Sequence, residues 1–198
     1  MPSKAEEAAH EAAHHGGQNK GVALFISVLA LFLAISETLG KSAQTAALSD
    51  NVEASNLWAF FQAKTIRMTA LRVAAESREF DLAAVADPAV KAAIQKQIST
   101  WKQTAARYDS EPDTQEGRKE LSARAKHSEA KRDLALAKYH HFEISSAAFQ
   151  IAIVLASASI VANLMALVWV SAAAGLAGLL IAALGQFAPL ALNLFGGH

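Results

Sequence analysis

Few residues in this sequence have both the type and the spacing to do chemistry. His10 and His14 lie one helical turn apart, with Glu11 and His15 beside them, and imidazoles so spaced can bind Zn²⁺ or Ni²⁺. The segment is low in complexity and supplies no apolar shell to fix ligand geometry, so a solvated tail is the plainer expectation. Glu37 is the one formal charge in an otherwise apolar run. A carboxylate within a bilayer is costly enough to suggest an ion pathway, yet Glu37 stands four residues before Lys41 and can pair with it or rest at an interface. His140 and His141, next to Tyr139 and Phe142, suit the headgroup zone of a membrane, and their rings titrate near neutrality.

Other chemistries are excluded by pattern. Gly40-Lys41-Ser42 ends like a phosphate loop but has no upstream glycine and no preceding strand. No Ser/His/Asp order, carboxylate pair or dinucleotide fingerprint is present, so neither catalytic residues nor a cofactor are expected and the chain reads as non-enzymatic. Basic residues are matched by acidic neighbours along each helix, which argues against nucleic acid. The sequence has no cysteine, excluding disulfides, thiolate metal sites and a thiol nucleophile.

One cluster points to association instead. Trp58, Phe60 and Phe61 flank Leu57, and together they offer more aromatic surface than a two-helix seam needs. Either another helix of the chain covers them, or they form an association surface for a second copy or a membrane protein partner.

The elements that must position these residues follow from the charge distribution. The chain has 198 residues, 53% hydrophobic and 18% charged, with 18 Lys+Arg against 18 Asp+Glu. That balance is a sum over unlike parts: no Asp, Glu, Lys or Arg follows Glu143, a run of 55 residues, where ~18 suffice to suspect a membrane span. Residues 1–20 form a His/Glu-rich flexible tail. Residues 21–39 give a first transmembrane helix. A cleaved signal peptide ending near Ala34-Ile35-Ser36 is the competing reading, disfavoured because the leader is acidic rather than basic. Residues 41–143 hold 16 of the 18 basic and 14 of the 18 acidic residues and form a helical stalk, with helices at about 42–86, 89–108 and 114–143. Within it Leu57, Phe61, Lys64, Met68, Leu71 and Ala75 alternate steps of four and three, a coiled-coil-like seam interrupted by Lys64. Pro88 stops the first of these helices. The second is expected to bury Val90, Ile94, Ile98 and Trp101. The third should run without a break into the membrane.

The charge-free stretch is right for two spans, residues 144–163 and 167–187, joined by a turn at residues 163–166 and followed by a short tail, 188–198. Ala148, Ala152 and Ala156, and Ala174, Gly178 and Ala182, repeat small residues that let spans approach closely. The fold class is therefore an all-α membrane protein, three transmembrane helices with a helical-hairpin soluble domain between the first and second. Polar positions able to line a path through an oligomeric ring are Glu37, Gln150, Asn163 and Gln186.

The runs EASNLWAFFQAKTIR (Glu53 to Arg67) and YHHFEISSAAFQIAIVLASASI (Tyr139 to Ile160), together with the His/Glu-rich leader, resemble the DUF4337 family of uncharacterised bacterial membrane proteins. The resemblance implies a three-span bacterial inner-membrane protein with a helical hairpin domain and no assigned activity. Relatives carry several arginines in the turn between the last two spans, where this chain has Ala162-Asn163-Leu164-Met165. With Lys20, the family pattern implies an N-terminus inside and the helical domain outside. The expected role is a self-associating membrane-anchored scaffold or accessory subunit, with a homo-oligomeric channel or transporter component as the alternative. The expected partners are the lipid bilayer and a second copy or another membrane protein, with no small-molecule substrate identified.

Overall fold

The computed structural model describes residues 4–191, with side chains from residue 20 onward. Every element among them is α-helical: α1 (Lys4–Leu82), α2 (Pro88–Asp109), α3 (Arg118–Ala162) and α4 (Met165–Phe187). Three of them, α1, α3 and α4, are long and apolar enough to cross a membrane.

Prolines and local hydrogen bonds set the breaks. No proline lies between Pro2 and Pro88, so the first span and first stalk helix, expected as separate pieces, are one helix. It ends at Leu82 rather than residue 86, because Ala83, Ala84 and Val85 bond back three residues instead of four, a tightened last turn that closes the helix. Asp87 is then extended (φ −73°, ψ 118°) and accepts from the Ala89 N–H at 2.8 Å, an N-cap ahead of Pro88 in the first turn. α3 starts at Arg118, not Thr114. The intervening chain passes through Gln115 in the left-handed region (φ 58°), whose side-chain amide donates to the Pro112 carbonyl at 2.7 Å. As expected, α3 then continues unbroken through residue 143 to Ala162. The last turn is tighter than four residues: Asn163 (φ 51°) and Leu164 suffice before α4.

The chain divides into two compact units, residues 48–132 and residues 1–47 with 133–198. In the first, α1 lies antiparallel to a return limb made of α2 and then α3, as Lys102 to Glu79, Trp58 to Glu129 and Arg132 to Asn51 record. All six positions of the expected seam, Leu57 to Ala75, are buried or half-buried. α2 contributes Ile98 and Ala105, with Ile94, Trp101 and Tyr108 half-buried. Val90, expected inside, is 47% exposed. The contacting face of α2 follows the steps 94, 98, 101, 105 and 108, and Val90 in the opening turn is left outside.

The second unit packs the apolar part of α1 against α3 and α4 around Leu29, Phe149 and Ala152. Phe32 and Phe149 stack at 5.9 Å between centroids. The small-residue expectation holds for Ala152, Ala156 and Gly178 but shifts on α4. Its buried face is Ser171, Gly175, Gly178 and Gly185, a four-three-seven spacing, while Ala174 and Ala182 are only half-buried.

Candidate functional site

The apolar unit is held by close approach and hydroxyl groups. A methyl at Gly175 would lie 2.7 Å from Leu29 Cδ2, one at Gly178 3.2 Å from the Phe149 ring, and one at Gly185 2.6 Å from His141 Cβ. With no side chain there, backbones come close enough for hydroxyls to bridge helices. Ser145 Oγ donates to the Gly178 carbonyl at 2.9 Å, and the Ser36 hydroxyl lies 3.2 Å from Ser145 Oγ. Because Ser145 has a single proton, already committed to Gly178, Ser36 is the donor. The relay joins α1, α3 and α4 at one level, and Ser171 Oγ adds a bond to the Ala152 carbonyl at 2.6 Å.

The two adjacent histidines part company. His140 is half-exposed, tilted against Tyr139 and 3.7 Å from Glu143 Oε2. His141 faces the other way. It is 2% exposed and packed on Gly185, with Nδ1 2.7 Å from the Ala137 carbonyl and Nε2 lacking a hydrogen-bond partner. Successive helical residues point about 100° apart, so a pair placed where α3 meets α4 sends one ring out and one in.

Glu37 stands on the edge of an open cleft between α1 and α3, which Lys41, Glu143 and Gln150 also line. Glu37 and Gln150 are thus brought together. Asn163, in the α3–α4 turn, and Gln186, near the end of α4, are not among its lining residues. Gly40 and Lys41 lie within α1, so no phosphate loop exists.

In the unit of residues 48–132, the aromatic cluster is divided. Trp58 and Phe61 pack on the core of Leu57, Leu121 and Ala125 and meet edge to face at 5.4 Å. Trp58 Nε1 donates to Glu129 Oε1 at 2.8 Å, so the α3 of the same chain covers it. Phe60 alone of the three remains open, 54% exposed. Lys64, buried in the seam, is satisfied by Glu116 at 3.7 Å and by the Tyr108 ring at 5.1 Å.

Arg118 was not singled out in the sequence, yet it ties the three helices where the return limb breaks. Its Nε donates to Thr65 Oγ1 at 2.8 Å, its Nη1 meets Asp109 Oδ1 at 2.9 Å, and its guanidinium lies 5.0 Å from the Phe61 ring centroid. Glu120 closes the same loop. It accepts from the Ser110 hydroxyl at 2.7 Å and from the Glu111 N–H at 3.2 Å. The Ser110 hydroxyl is the main reason its carboxyl is held below the usual carboxylate range, against a smaller opposing effect of burial. Gly117 admits the carboxylate, since a methyl there would collide with Glu120 Oε2 and the Glu111 nitrogen. The only sequence signal for this junction was the Asp109 to Asp113 turn composition; the arginine and glycine carry no pattern of their own.

No group of three or more His, Cys, Asp or Glu able to hold a metal occurs among the described residues. His10 and His14 lie outside the residues whose side chains are described. Taken together, an all-helical chain with three membrane-length apolar helices and a hairpin of charged helices inserted between the first and second defines the class. Residues 18–188 match the family described as a domain of unknown function, DUF4337, and the chain belongs to that family. No curated protein matches the chain, and no solved structure does.

Proposed function

We propose that the protein is a non-enzymatic, membrane-anchored helical scaffold or accessory subunit that self-associates, seated in the bacterial inner membrane with its N-terminus inside and residues 48–132 outside. The observation that supports this most is the apolar surface left open on a charged, hairpin-like unit: Phe60, Ile66, Val73 and Phe80 are each more than half exposed. Scattered apolar residues are ordinary on a surface, but a run along one helix marks association. The lipid bilayer and a second copy are the partners in this reading, without substrate or cofactor. Light scattering on the full chain in detergent tests it, with a mass above one copy expected. A monomeric mass would remove self-association and leave only a partner of a different kind. A protease test fixes the orientation: cleavage of the 48–132 unit in spheroplasts but not in sealed inside-out vesicles is expected.

A second reading, a homo-oligomeric channel or transporter component, is favoured by the cleft that brings Glu37 and Gln150 together. Ion flux into vesicles carrying the protein, abolished by Glu37→Gln, would favour it over the scaffold.

A further inference from the structure

Helix α1 carries two seams, and the chain itself uses only one. The first, Leu57 through Ala75, faces the return limb of the hairpin. The second runs along Val52, Ala59, Ile66, Val73 and Phe80, one residue every seven, and all five are exposed, Ile66 by 70% and Phe80 by 83%. Between them, three to four residues on, fall Asn56, Ala63, Ala70 and Ser77, also exposed. On a helical wheel of 3.5 residues per turn the two seams lie on nearly opposite sides, about 150° apart. Nothing in the intramolecular fold requires the second.

We infer that this second seam is the interface between two copies of the chain, which pair in parallel and in register as a coiled coil of their α1 helices. The inference rests on the self-associating reading above and says where that association occurs and in what geometry. The spacing is that of coiled-coil core positions, with the larger apolar residues at one of the two and small or polar residues at the other. Alanines at the small position allow close approach, and a single Asn in a core position fixes register and favours two strands by bonding its counterpart. Asn56 fills that place. The first half of that face is also poor in charge: from Ala54 to Ile66 the only charged residue is Lys64, which points inward.

Area and anchoring agree. The large exposed side chains of the seam and its flank offer on the order of 700 Å² per copy, or ~1,400 Å² for a pair, within the range of stable interfaces. The bond from Arg132 to Asn51 brings the two ends of the 48–132 unit together. Both ends continue into membrane-length apolar segments, so copies inserted in one bilayer with the same topology leave it with α1 running the same way, which favours parallel pairing. In that pairing Gln62 of one copy faces Arg67 of the other. Glu76 faces Asp81 at the far end, where Arg78 already bonds Asp81 at 3.4 Å. Carried back along α1, the same count reaches the exposed Leu24, Val28, Leu31 and Ile35. Lipid would cover those equally well, so residues 52–80 are the discriminating part.

The chain is naturally free of cysteine, which makes the test direct. Single variants Ala59→Cys, Ile66→Cys and Val73→Cys in full-length protein in native membranes should each give a disulfide-linked species of twice the chain mass. Leu71→Cys on the inner seam and Gln103→Cys on the exposed face of α2 should give roughly tenfold less. Ile66→Ala should weaken pairing about tenfold in detergent with helicity unchanged, since an aliphatic side chain is buried in each copy. Cross-linking that does not peak with the seven-residue period, or a linked species of any mass other than two chains, would overturn the seam. An oligomer whose mass is unmoved by Ile66→Glu would overturn it too while leaving self-association standing, whereas a monomer in every lipid and detergent would remove both.

Discussion

At the scale of single residues, glycine and serine matter more here than any titratable group of the spans. Gly185→Ala sets a methyl 2.6 Å from His141 Cβ, an atom fixed to the helix backbone. α3 and α4 must separate, and a loss of about 1–3 kcal/mol is expected in a detergent unfolding titration. Ser145→Ala removes both the bond to Gly178 and the acceptor of the Ser36 hydroxyl. A loss of about 0.5–1.5 kcal/mol by the same measurement is expected, because interhelical bonds in apolar surroundings are individually modest. Glu120 gives a pH signature. Its carboxyl is held below its ordinary value in the folded chain, chiefly by the Ser110 hydroxyl. The stabilisation is therefore full above the ordinary carboxylate range and fades as pH falls through the folded value. Glu120→Gln should flatten the acid side of a thermal melting profile, and an unchanged slope would remove Glu120 from the junction's stability.

At the scale of elements, the junction between α2 and α3 turns one long return limb into two helices. Arg118 holds it by a fork that reaches Thr65 and Asp109 together. Arg118→Lys keeps the charge but cannot make both bonds, so a loss of about 1–3 kcal/mol is expected, close to that of Arg118→Ala. Lys64 is the opposite case. Replacing a buried cation by an apolar residue is often neutral or stabilising, and Glu116, 54% exposed, stays solvated without it. Lys64→Met should melt at the same temperature or higher, and a clear drop would show that the ion pair outweighs the desolvation of the lysine. The seam from Leu57 to Ala75 was legible in the sequence as a four-three spacing, although the same seven-residue period recurs on another face of α1. The start of α3 was not, because Arg118 is explained by partners nine and fifty-three residues away, and Gly117 by the way the Glu120 carboxylate folds back onto Ser110 and Glu111.

At the scale of the whole molecule, the apolar run after Gly21, the charge-free stretch after Glu143 and the prolines determined which segments are apolar enough to span a membrane and where two of the three breaks fall, but not that the first span and the first stalk helix are one continuous α1. Those are local properties: a helix starts, stops or enters an apolar phase according to the residues it contains. Which face of each helix is used was decided only by the tertiary structure. The small residues of α4 admitted more than one stripe, and Leu29, Phe149 and His141 selected Ser171, Gly175, Gly178 and Gly185. For the aromatic run at 58–61 the sequence left open both cover by another helix and association; α3 covers Trp58 and Phe61 and leaves Phe60 outside. The seven-residue period of α1 fits two faces equally well by sequence. Only the return limb, by burying one of them, separates the seam that stabilises the chain from the seam left for another copy.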